Sequence, residues 1–378
     1  MNKKIIYVNQ RTIPKKISDV VKHHIPNYNH SAYSQCLALV YQAEFYCRAG
    51  ADVLPYRYDS DFYETSVGMP PMDINFKKSF EEITDQRCMN LVHQYPDRPW
   101  IVMWSGGIDS TVIVASLLKN LSSSQLKNIT ISCNSVSVYE NPLFFHNQIV
   151  KNFKTMDSTH ADHSALLHDY HVIDGNPADL LFSGGLSIQA RQVGMDLSKP
   201  WKDSPGQLID YLSQSIDRVA AELFYDLMAT NLAGADPRCE MVQSLADWFW
   251  WINFNWKWIS DCWRALDVLQ LDNTQPFVDS FVNWFDSYDY QQWAMTTGRY
   301  SVINDGTSIG DYKKTSKQYI YDLDRNPYYL NFKTKCHSTA QVKGNDPWHV
   351  MLDDMTTLHA DRDFDLIEQL LPAHLNIK

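Results

Sequence analysis

The stretch that decides the fold runs from residue 99 to residue 133. The residues PWIVMW (99–104) are short and apolar, as expected for a buried strand of a parallel sheet. They lead into SGGIDST (105–111), after which residues 112–121 carry apolar side chains at helical spacing. A second apolar run, ITISC (129–133), follows. Strand, glycine-rich turn, helix and strand form a βαβ unit, which predicts an α/β protein with a parallel sheet.

The same alternation continues on both sides of this unit. Residues 76–95 have apolar side chains at roughly helical spacing and stop before a proline, so we predict a helix there. After the βαβ unit, the pattern predicts a helix around 144–153 and a strand over 170–173. Beyond about residue 207 the pattern is mainly helical, which predicts a helical C-terminal part.

Length and composition indicate a folded protein with a large core. The chain has 378 residues, of which 44% are hydrophobic and 20% charged, and it contains 12 Trp and 21 Tyr. A chain of this length is expected to form one large domain with an appendage, or two domains. Residues 1–75 lack a clean period, so we predict a small N-terminal appendage there and the main domain over 76–378.

Charge and cysteine spacing argue against several classes of protein. The formal net charge of -11 disfavours a surface that coats nucleic acid. The seven cysteines are scattered singly, so neither a disulfide scaffold nor a zinc ribbon is predicted. The first residues are too polar for a signal peptide, and no apolar run is long enough for a membrane span. We expect a cytoplasmic protein that does not enter a membrane.

The turn at 105–111 has the composition of a phosphate-binding site. Gly106 and Gly107 let the backbone approach a polyanion, and the amides and dipole of the following helix direct positive charge towards it. Further hydroxyl donors come from Ser105, Ser110 and Thr111. A phosphate would repel the carboxylate of Asp109 unless a divalent cation lay between them. The turn therefore predicts bound Mg²⁺.

The string SGGIDST resembles the pyrophosphate-binding loop of the N-type ATP pyrophosphatases, and it is not the GxxxxGK[ST] loop of kinases and GTPases. A second string, DGNPADLLFSG (174–184), is similar to the GxGADELFGGY segment of asparagine synthetases and β-lactam synthetases. The resemblance implies that ATP contacts the turn and Gly175, and that Asp179 binds Mg²⁺ together with Asp109. Taken alone, Asp179 fits equally well as the cap of a turn or helix.

Two further strings extend the resemblance towards the C-terminus. PFVD (276–279) is similar to the PFLD element of asparagine synthetases, and residues 281–285 fit the helix that follows that element. Lys313 and Lys317 resemble a KxxLR helix, and KTK (333–335) resembles the RQK string beyond it. By this alignment Lys335 is the catalytic lysine, and Lys313 belongs to the same site. The alternative is that these lysines lie on a solvated surface.

The departures from the family concern the nitrogen donor and the substrate. Asparagine synthetases have an N-terminal glutaminase domain whose cysteine nucleophile follows Met1, whereas this chain has Asn2. We expect nitrogen from ammonia, from an amine or from a separate amidotransferase subunit. Asn176 replaces a glutamate or tyrosine and cannot act as a general base. The resemblance implies a catalytic role for Asp272, but Thr274 stands where an arginine is normal, so the substrate is open.

The resemblance spans roughly residues 76–340 and implies a fold of the adenine-nucleotide α-hydrolase type. It implies an ATP-dependent ligase in which a substrate carboxylate attacks the α-phosphorus, pyrophosphate leaves, and the acyl adenylate reacts with ammonia or an amine. Two alternatives stay open: adenylation of a carbonyl in a nucleobase or tRNA, and nucleotide binding without catalysis. A homo-oligomer also stays open.

Two other groups of residues have functional alternatives. His160 and His163 could bind a metal ion, but they lack a clear third ligand, so a surface turn is favoured. The tryptophan-rich residues 248–263 could stack on a ligand ring. Aromatic side chains at helical spacing more often form a core or an interface, which is what we predict here.

Overall fold

The structure is a computed structural model. It describes residues 5–9, 29–39, 47–51, 56–58, 68–159, 163–269, 274–304, 311, 313–333, 349–352, 354, 356–359, 363, 366, 369 and 375–377. The chain forms two compact units, which we call the sheet unit (Asp73–Phe182 and Gln275–Gly344) and the helical unit (Met1–Met72, Ser183–Thr274 and Asn345–Lys378). The appendage at 1–75 and the domain at 76–378 stay predictions, because many of residues 1–75 lie outside the described residues.

The described strands and helices are named here by their bounds. The strands are, in chain order, β1 (Ile5–Asn9), β2 (Tyr56–Tyr58), β3 (Trp100–Met103), β4 (Ile129–Cys133), β5 (Lys154–Asp157), β6 (His171–Asp174), β7 (Phe281–Asn283), β8 (His349–Leu352), β9 (Thr357–His359) and β10 (Leu375–Ile377). The α-helices of six or more residues are His30–Leu39, Phe80–Gln94, Ile108–Asn120, Ser135–Glu140, His163–Asp169, Gly184–Gln192, Pro205–Leu212, Arg218–Leu232, Leu245–Trp251, Trp258–Leu269, Gln275–Ser280, Tyr288–Thr296, Lys314–Asp324 and Pro327–Phe332. Shorter helical turns are Ser123–Leu126, Pro142–Phe144, Val150–Asn152, Ala178–Leu181, Trp201–Asp203, Pro237–Met241, Gly298–Tyr300 and Ser301–Asn304, and two π-helical turns are Phe145–Ile149 and Ile252–Lys257.

The sheet unit is built around a parallel sheet of five described strands in the order β5-β4-β3-β6-β7. The central strand β3 pairs in parallel with β4 on one side and with β6 on the other. Its residues Ile101 and Val102 are buried, as is Ile131 of β4, which explains why β3 is apolar throughout and why β4 carries isoleucines. The predicted α/β fold with a parallel sheet is confirmed.

The strand order reverses between β3 and β6. From β3 the chain moves outward through β4 to β5, then returns to β6 on the other side of β3 and continues to β7. In open α/β sheets, ligands bind at such a switch point, outside the carboxyl ends of the strands. A ligand-binding site is therefore expected at the segments that follow β3 and β6.

Local capping explains where the predicted helix at 76–95 begins. The structure has this helix at Phe80–Gln94, and Ser79 precedes its first turn. The Ser79 hydroxyl accepts a hydrogen bond from the amide of Glu82 (3.2 Å), and the Glu82 carboxylate accepts one from the amide of Ser79 (2.7 Å). This reciprocal pair satisfies two amides that lack partners within the helix, so the helix begins at Phe80.

The helix predicted over residues 281–285 is wrong. A helix ends at Ser280, and the next residues form β7, which pairs in parallel with β6 and places Val282 opposite Ile173. Val282 is buried, so pairing with the sheet edge outweighs the helix-like spacing of these apolar residues. The prediction of mainly helices beyond residue 207 holds for the described residues up to Phe332 apart from β7, whereas β8, β9 and β10 near the C-terminus are strands.

The helical unit contains the tryptophan-rich stretch. Its tryptophans at 248, 250, 251, 256 and 258 are fully buried, and Trp250 stacks on Phe254 with ring centroids 4.6 Å apart. These side chains are core residues, as predicted. The unit also has two antiparallel sheets, β1-β8-β9 and β2-β10. Among the described helices, none is long and apolar enough to cross a membrane.

Candidate active site

The turn that follows β3 requires glycine at position 106. Gly106 has φ of +77°, a conformation that strains residues with a side chain. A Cβ atom at this position would lie 2.2 Å from the carbonyl oxygen of Ser137 and 2.9 Å from Cβ of Glu140. The turn thus packs directly against the helix Ser135–Glu140 and leaves no room for a side chain.

Two serine hydroxyls hold the turn together. The hydroxyl of Ser110 accepts a hydrogen bond from the amide of Ser105 (3.1 Å) and lies 3.1 Å from the Ser105 hydroxyl. The amide of Gly107 donates to the Ser105 hydroxyl (3.3 Å). Thr111 is fully buried, and its hydroxyl accepts from the indole nitrogen of Trp104 (3.1 Å). These hydroxyls fix the start of the helix Ile108–Asn120 next to the turn.

The segment after β6 packs closely on this turn. A Cβ atom at Gly175 would lie 3.3 Å from Cβ of Asp109 and 3.4 Å from the amide nitrogen of Ser110. The side-chain amide of Asn176 donates to the carboxylate of Asp174 (2.7 Å). Gly175 therefore allows the two segments to approach each other, as expected at the switch point between β3 and β6.

Lys313 joins the two predicted metal ligands. Its ammonium nitrogen lies 2.6 Å from Oδ1 and 2.6 Å from Oδ2 of Asp109, and 2.5 Å from Oδ1 of Asp179. The side chain of Lys313 is 2% exposed, whereas those of Asp109 and Asp179 are 26% and 39% exposed. The structure thus brings together three of the residues predicted for the site.

The charge and the backbone of Lys313 are both unusual for a buried residue. Burial lowers the pKa of its ammonium, but the attraction to Asp109 and Asp179 outweighs burial, so the pKa lies above the ordinary value of 10.5. Its φ of 53° is a left-handed conformation that non-glycine residues seldom adopt. Such strain is most often found at functional sites, because the surroundings must hold the residue in place.

The two carboxylates fit a Mg²⁺ ion. They already share one positively charged group, the ammonium of Lys313, and carboxylate oxygens are the ligands that Mg²⁺ prefers. In the described part of the chain, no group of three or more His, Cys, Asp or Glu side chains could hold a metal ion. Protein sites for Mg²⁺ commonly use one or two carboxylates together with substrate phosphates. Asp109 and Asp179 match that arrangement.

A buried ion pair also lies beside the glycine turn. The ammonium of Lys333 is 2.7 Å from Oε1 of Glu140, and the two side chains are 8% and 6% exposed. Lys317 is also buried, and its ammonium donates to the carbonyl oxygen of Lys333 (3.3 Å). The alternative of solvated surface lysines is therefore wrong for Lys313, Lys317 and Lys333.

Sequence reasoning missed Glu140. This residue ends the helix that follows β4, so it lies at the carboxyl edge of the sheet, where Asp109 and Asp179 also lie. Its position in the βαβ pattern is the signal that could have identified it, because the carboxyl ends of parallel strands share one edge.

Several predicted residues lie outside the part of the chain that the structure describes. Lys335 and Asp272, both implied as catalytic by the resemblance, lie outside the described residues. Thr274 is buried. His160 also lies outside the described residues, and the helix His163–Asp169 begins at the second histidine of the pair. The surface turn predicted there stays a prediction.

Comparisons with known proteins do not assign this site. No protein-family model matches the chain, and no curated protein matches it. Its chemistry is therefore inferred from the residues themselves: a glycine turn after the central strand, two carboxylates that share one ammonium, and a buried pair of Glu140 and Lys333 beside the turn.

Proposed function

We propose that this protein is a Mg²⁺-dependent enzyme that cleaves ATP between its α and β phosphates and activates a substrate carboxylate as an adenylate. One observation carries the proposal: Asp109 and Asp179 converge on the ammonium of Lys313 beside the turn at Gly106. Gly106 and Asp109 follow the carboxyl end of β3 and Asp179 follows that of β6, where the strand order reverses. The finer identity of the fold, the adenine-nucleotide α-hydrolase type, belongs to the same proposal.

The glycine turn binds the polyphosphate. Gly106 has no side chain to keep a phosphate away from the backbone, and the amides at the start of the helix Ile108–Asn120 face the anion together with the positive end of the helix dipole. Asp109 and Asp179 would hold Mg²⁺, and the ion would supply positive charge to neutralise the departing pyrophosphate.

Lys313 supplies a fixed positive charge in this site. Its raised pKa keeps the ammonium charged at neutral pH, and its contacts with Asp109 and Asp179 fix its position. A preorganised cation stabilises charge that develops in the transition state, because the protein need not reorganise during the reaction. Lys335 and Asp272 keep the catalytic roles that the resemblance implies.

The reaction that we propose forms an amide. The substrate carboxylate attacks the α-phosphorus of ATP, pyrophosphate leaves, and an amine or ammonia then attacks the acyl carbon and releases AMP. Asn176 donates its amide to Asp174 and offers no base to this sequence, so the amine must lose its proton to another group. The net charge of -11 favours a small substrate over a tRNA.

The test is a screen for products of ATP cleavage. The purified chain is incubated with ATP, Mg²⁺ and panels of carboxylates, amines and nucleosides, and AMP and pyrophosphate are measured. Exchange of labelled pyrophosphate into ATP with a carboxylate alone would support the adenylate. Formation of ADP and phosphate would contradict the proposal. ATP binding without any cleavage would indicate a nucleotide-binding protein.

A further inference from the structure

We propose that Glu140 and Lys333 are positioning residues of the ATP site, which act through the glycine turn rather than by touching the reacting atoms. This inference rests on the function proposed above. It assigns a role to Glu140, which no sequence motif indicated, and to Lys333, which would do little if it lay on a solvated surface.

Glu140 lies close to both glycines of the turn. A Cβ atom at Gly106 would lie 2.9 Å from Cβ of Glu140, and one at Gly107 would lie 3.8 Å from its Oε1. The carbon stem and the carboxylate of Glu140 thus run along both glycines. A change in the position of Glu140 therefore reaches the turn directly.

An ion pair with Lys333 holds Glu140 in place. The ammonium of Lys333 lies 2.7 Å from Oε1 of Glu140, and both side chains are more than nine-tenths buried. A buried ion pair of this kind has a defined geometry, since neither charge can move away without losing its partner in a poorly solvated place. Lys317 also holds the backbone of Lys333 through a hydrogen bond to its carbonyl oxygen.

One segment of the chain carries both lysines that pair with these acidic side chains. Residues 313–333 begin with Lys313, which contacts Asp109 and Asp179, and end with Lys333, which contacts Glu140. Asp109 follows Gly106 by three residues in the chain, and Glu140 packs against Gly106 from another helix. The two ion pairs together fix the position of the turn relative to the two carboxylates.

Positioning predicts a specific kinetic effect. If the turn shifts, the phosphates of ATP bind less well in the ground state and in the transition state alike, so KM for ATP rises while kcat changes little. A purely structural role would lower the fraction of folded enzyme and leave KM for ATP unchanged in the folded fraction. We expect KM for ATP to rise at least about tenfold in Lys333→Met and in Glu140→Gln.

The experiment compares single, double and control variants. Pyrophosphate release and binding of a nonhydrolysable ATP analogue with Mg²⁺ are measured for wild type, Lys333→Met, Glu140→Gln and the double variant, at a temperature where each is folded. The KM for ATP of the double variant should not exceed that of the more impaired single variant, because the double variant leaves no unpaired buried charge. Lys119→Met is the matched control, since Lys119 contacts Glu81 (2.6 Å) on the exposed surface of the same unit, and its KM should not change.

The outcomes separate this inference from the proposed function. If wild type neither binds the analogue nor releases pyrophosphate, the proposed function fails. If wild type is active and both single variants keep its KM for ATP, the positioning role is wrong. Should Lys333→Met fail to fold, Glu140→Asp keeps the charge and shortens the side chain by one methylene. It should still raise KM, and an unchanged KM would overturn the inference.

Discussion

The ammonium of Lys313 lies 2.6 Å from each carboxylate oxygen of Asp109, although the two residues are 204 positions apart in the chain. Asp109 follows the central strand of the sheet, and Lys313 immediately precedes the helix Lys314–Asp324. The contact brings these two distant parts of the chain together. Asp179 contacts the same ammonium, so a substitution at any one of the three residues should affect the other two.

Replacement of Asp109 by asparagine should abolish most of the activity. Asn keeps the shape of the side chain but removes the charge that would hold Mg²⁺, so pyrophosphate release should fall by about 10²–10³. The matched control is Asp289→Asn, because Asp289 pairs with Lys78 (2.7 Å) on the surface of the same unit. Release at the wild-type rate in Asp109→Asn would show that the turn is not the ATP site.

Removal of the Lys313 ammonium should weaken the fold and strengthen the binding of Mg²⁺. Lys313→Met leaves Asp109 and Asp179 without their shared cation. Breaking a buried pair costs about 3–5 kcal/mol, and we expect a loss at or below the lower end, since both carboxylates are partly exposed. Mg²⁺ should then raise the melting temperature of the variant more than that of wild type. Equal shifts in both proteins would argue against metal binding by these carboxylates.

The stabilisation by Lys313 should disappear only in strong alkali. The folded pKa of Lys313 lies above 10.5, so its contribution is fully present below pH 10.5 and is lost as the pH rises through the folded pKa. The difference in free energy of unfolding between wild type and Lys313→Met should therefore be constant from pH 7 to about pH 10. Denaturant titrations across this range provide the measurement. A difference that vanished near pH 8 would contradict the raised pKa.

Alanine at position 106 should disrupt the turn. The left-handed conformation alone costs a non-glycine residue about 1–3 kcal/mol, and the new Cβ would collide with the backbone of Ser137. We expect lower stability together with loss of ATP binding, measured by denaturant titration and calorimetry. Gly185→Ala serves as the control, because its Cβ would meet no atom within 4 Å and its helix should gain slightly from alanine. Normal ATP binding by Gly106→Ala would exclude the turn as the phosphate site.

In the helical unit, Asp236 should contribute to stability above pH 4 and lose this contribution in acid. Hydrogen bonds from the Arg238 side chain lower the pKa of Asp236 from 3.8 to about 2, although partial burial opposes the shift. A carboxyl with a lowered folded pKa stabilises the fold above its unfolded pKa and ceases to do so as the pH falls through the folded pKa. Asp236→Asn should cost about 1 kcal/mol at pH 7, a value reduced for solvent screening. The cost should shrink as the pH falls from 4 towards 2 and vanish below the folded pKa of about 2, and a cost that stayed constant over this range would refute this account.

The sequence by itself determined the centre of the fold, and it predicts the chemistry of the turn. Strands β3, β4 and β6 each lie between two neighbouring strands and are rich in buried apolar residues. Their positions could therefore be predicted from the sequence alone. The sequence also singled out Gly106 as part of a turn, and the structure adds that its φ of +77° favours glycine. The pairing of Asp109 with Asp179 came from two separate motifs, and the structure places them on one ammonium.

Only the tertiary structure decided the edges of the sheet and the state of the lysines. The side chains of β5 are largely exposed, so this strand lacks an apolar run, and β7 is a strand because the edge of β6 pairs with it. Whether a lysine is solvated or buried depends on a partner elsewhere in the chain. Lys333 meets Glu140 from 193 residues away, and no local pattern records such a contact, because burial of a charge is set by its partner and not by its neighbours in sequence.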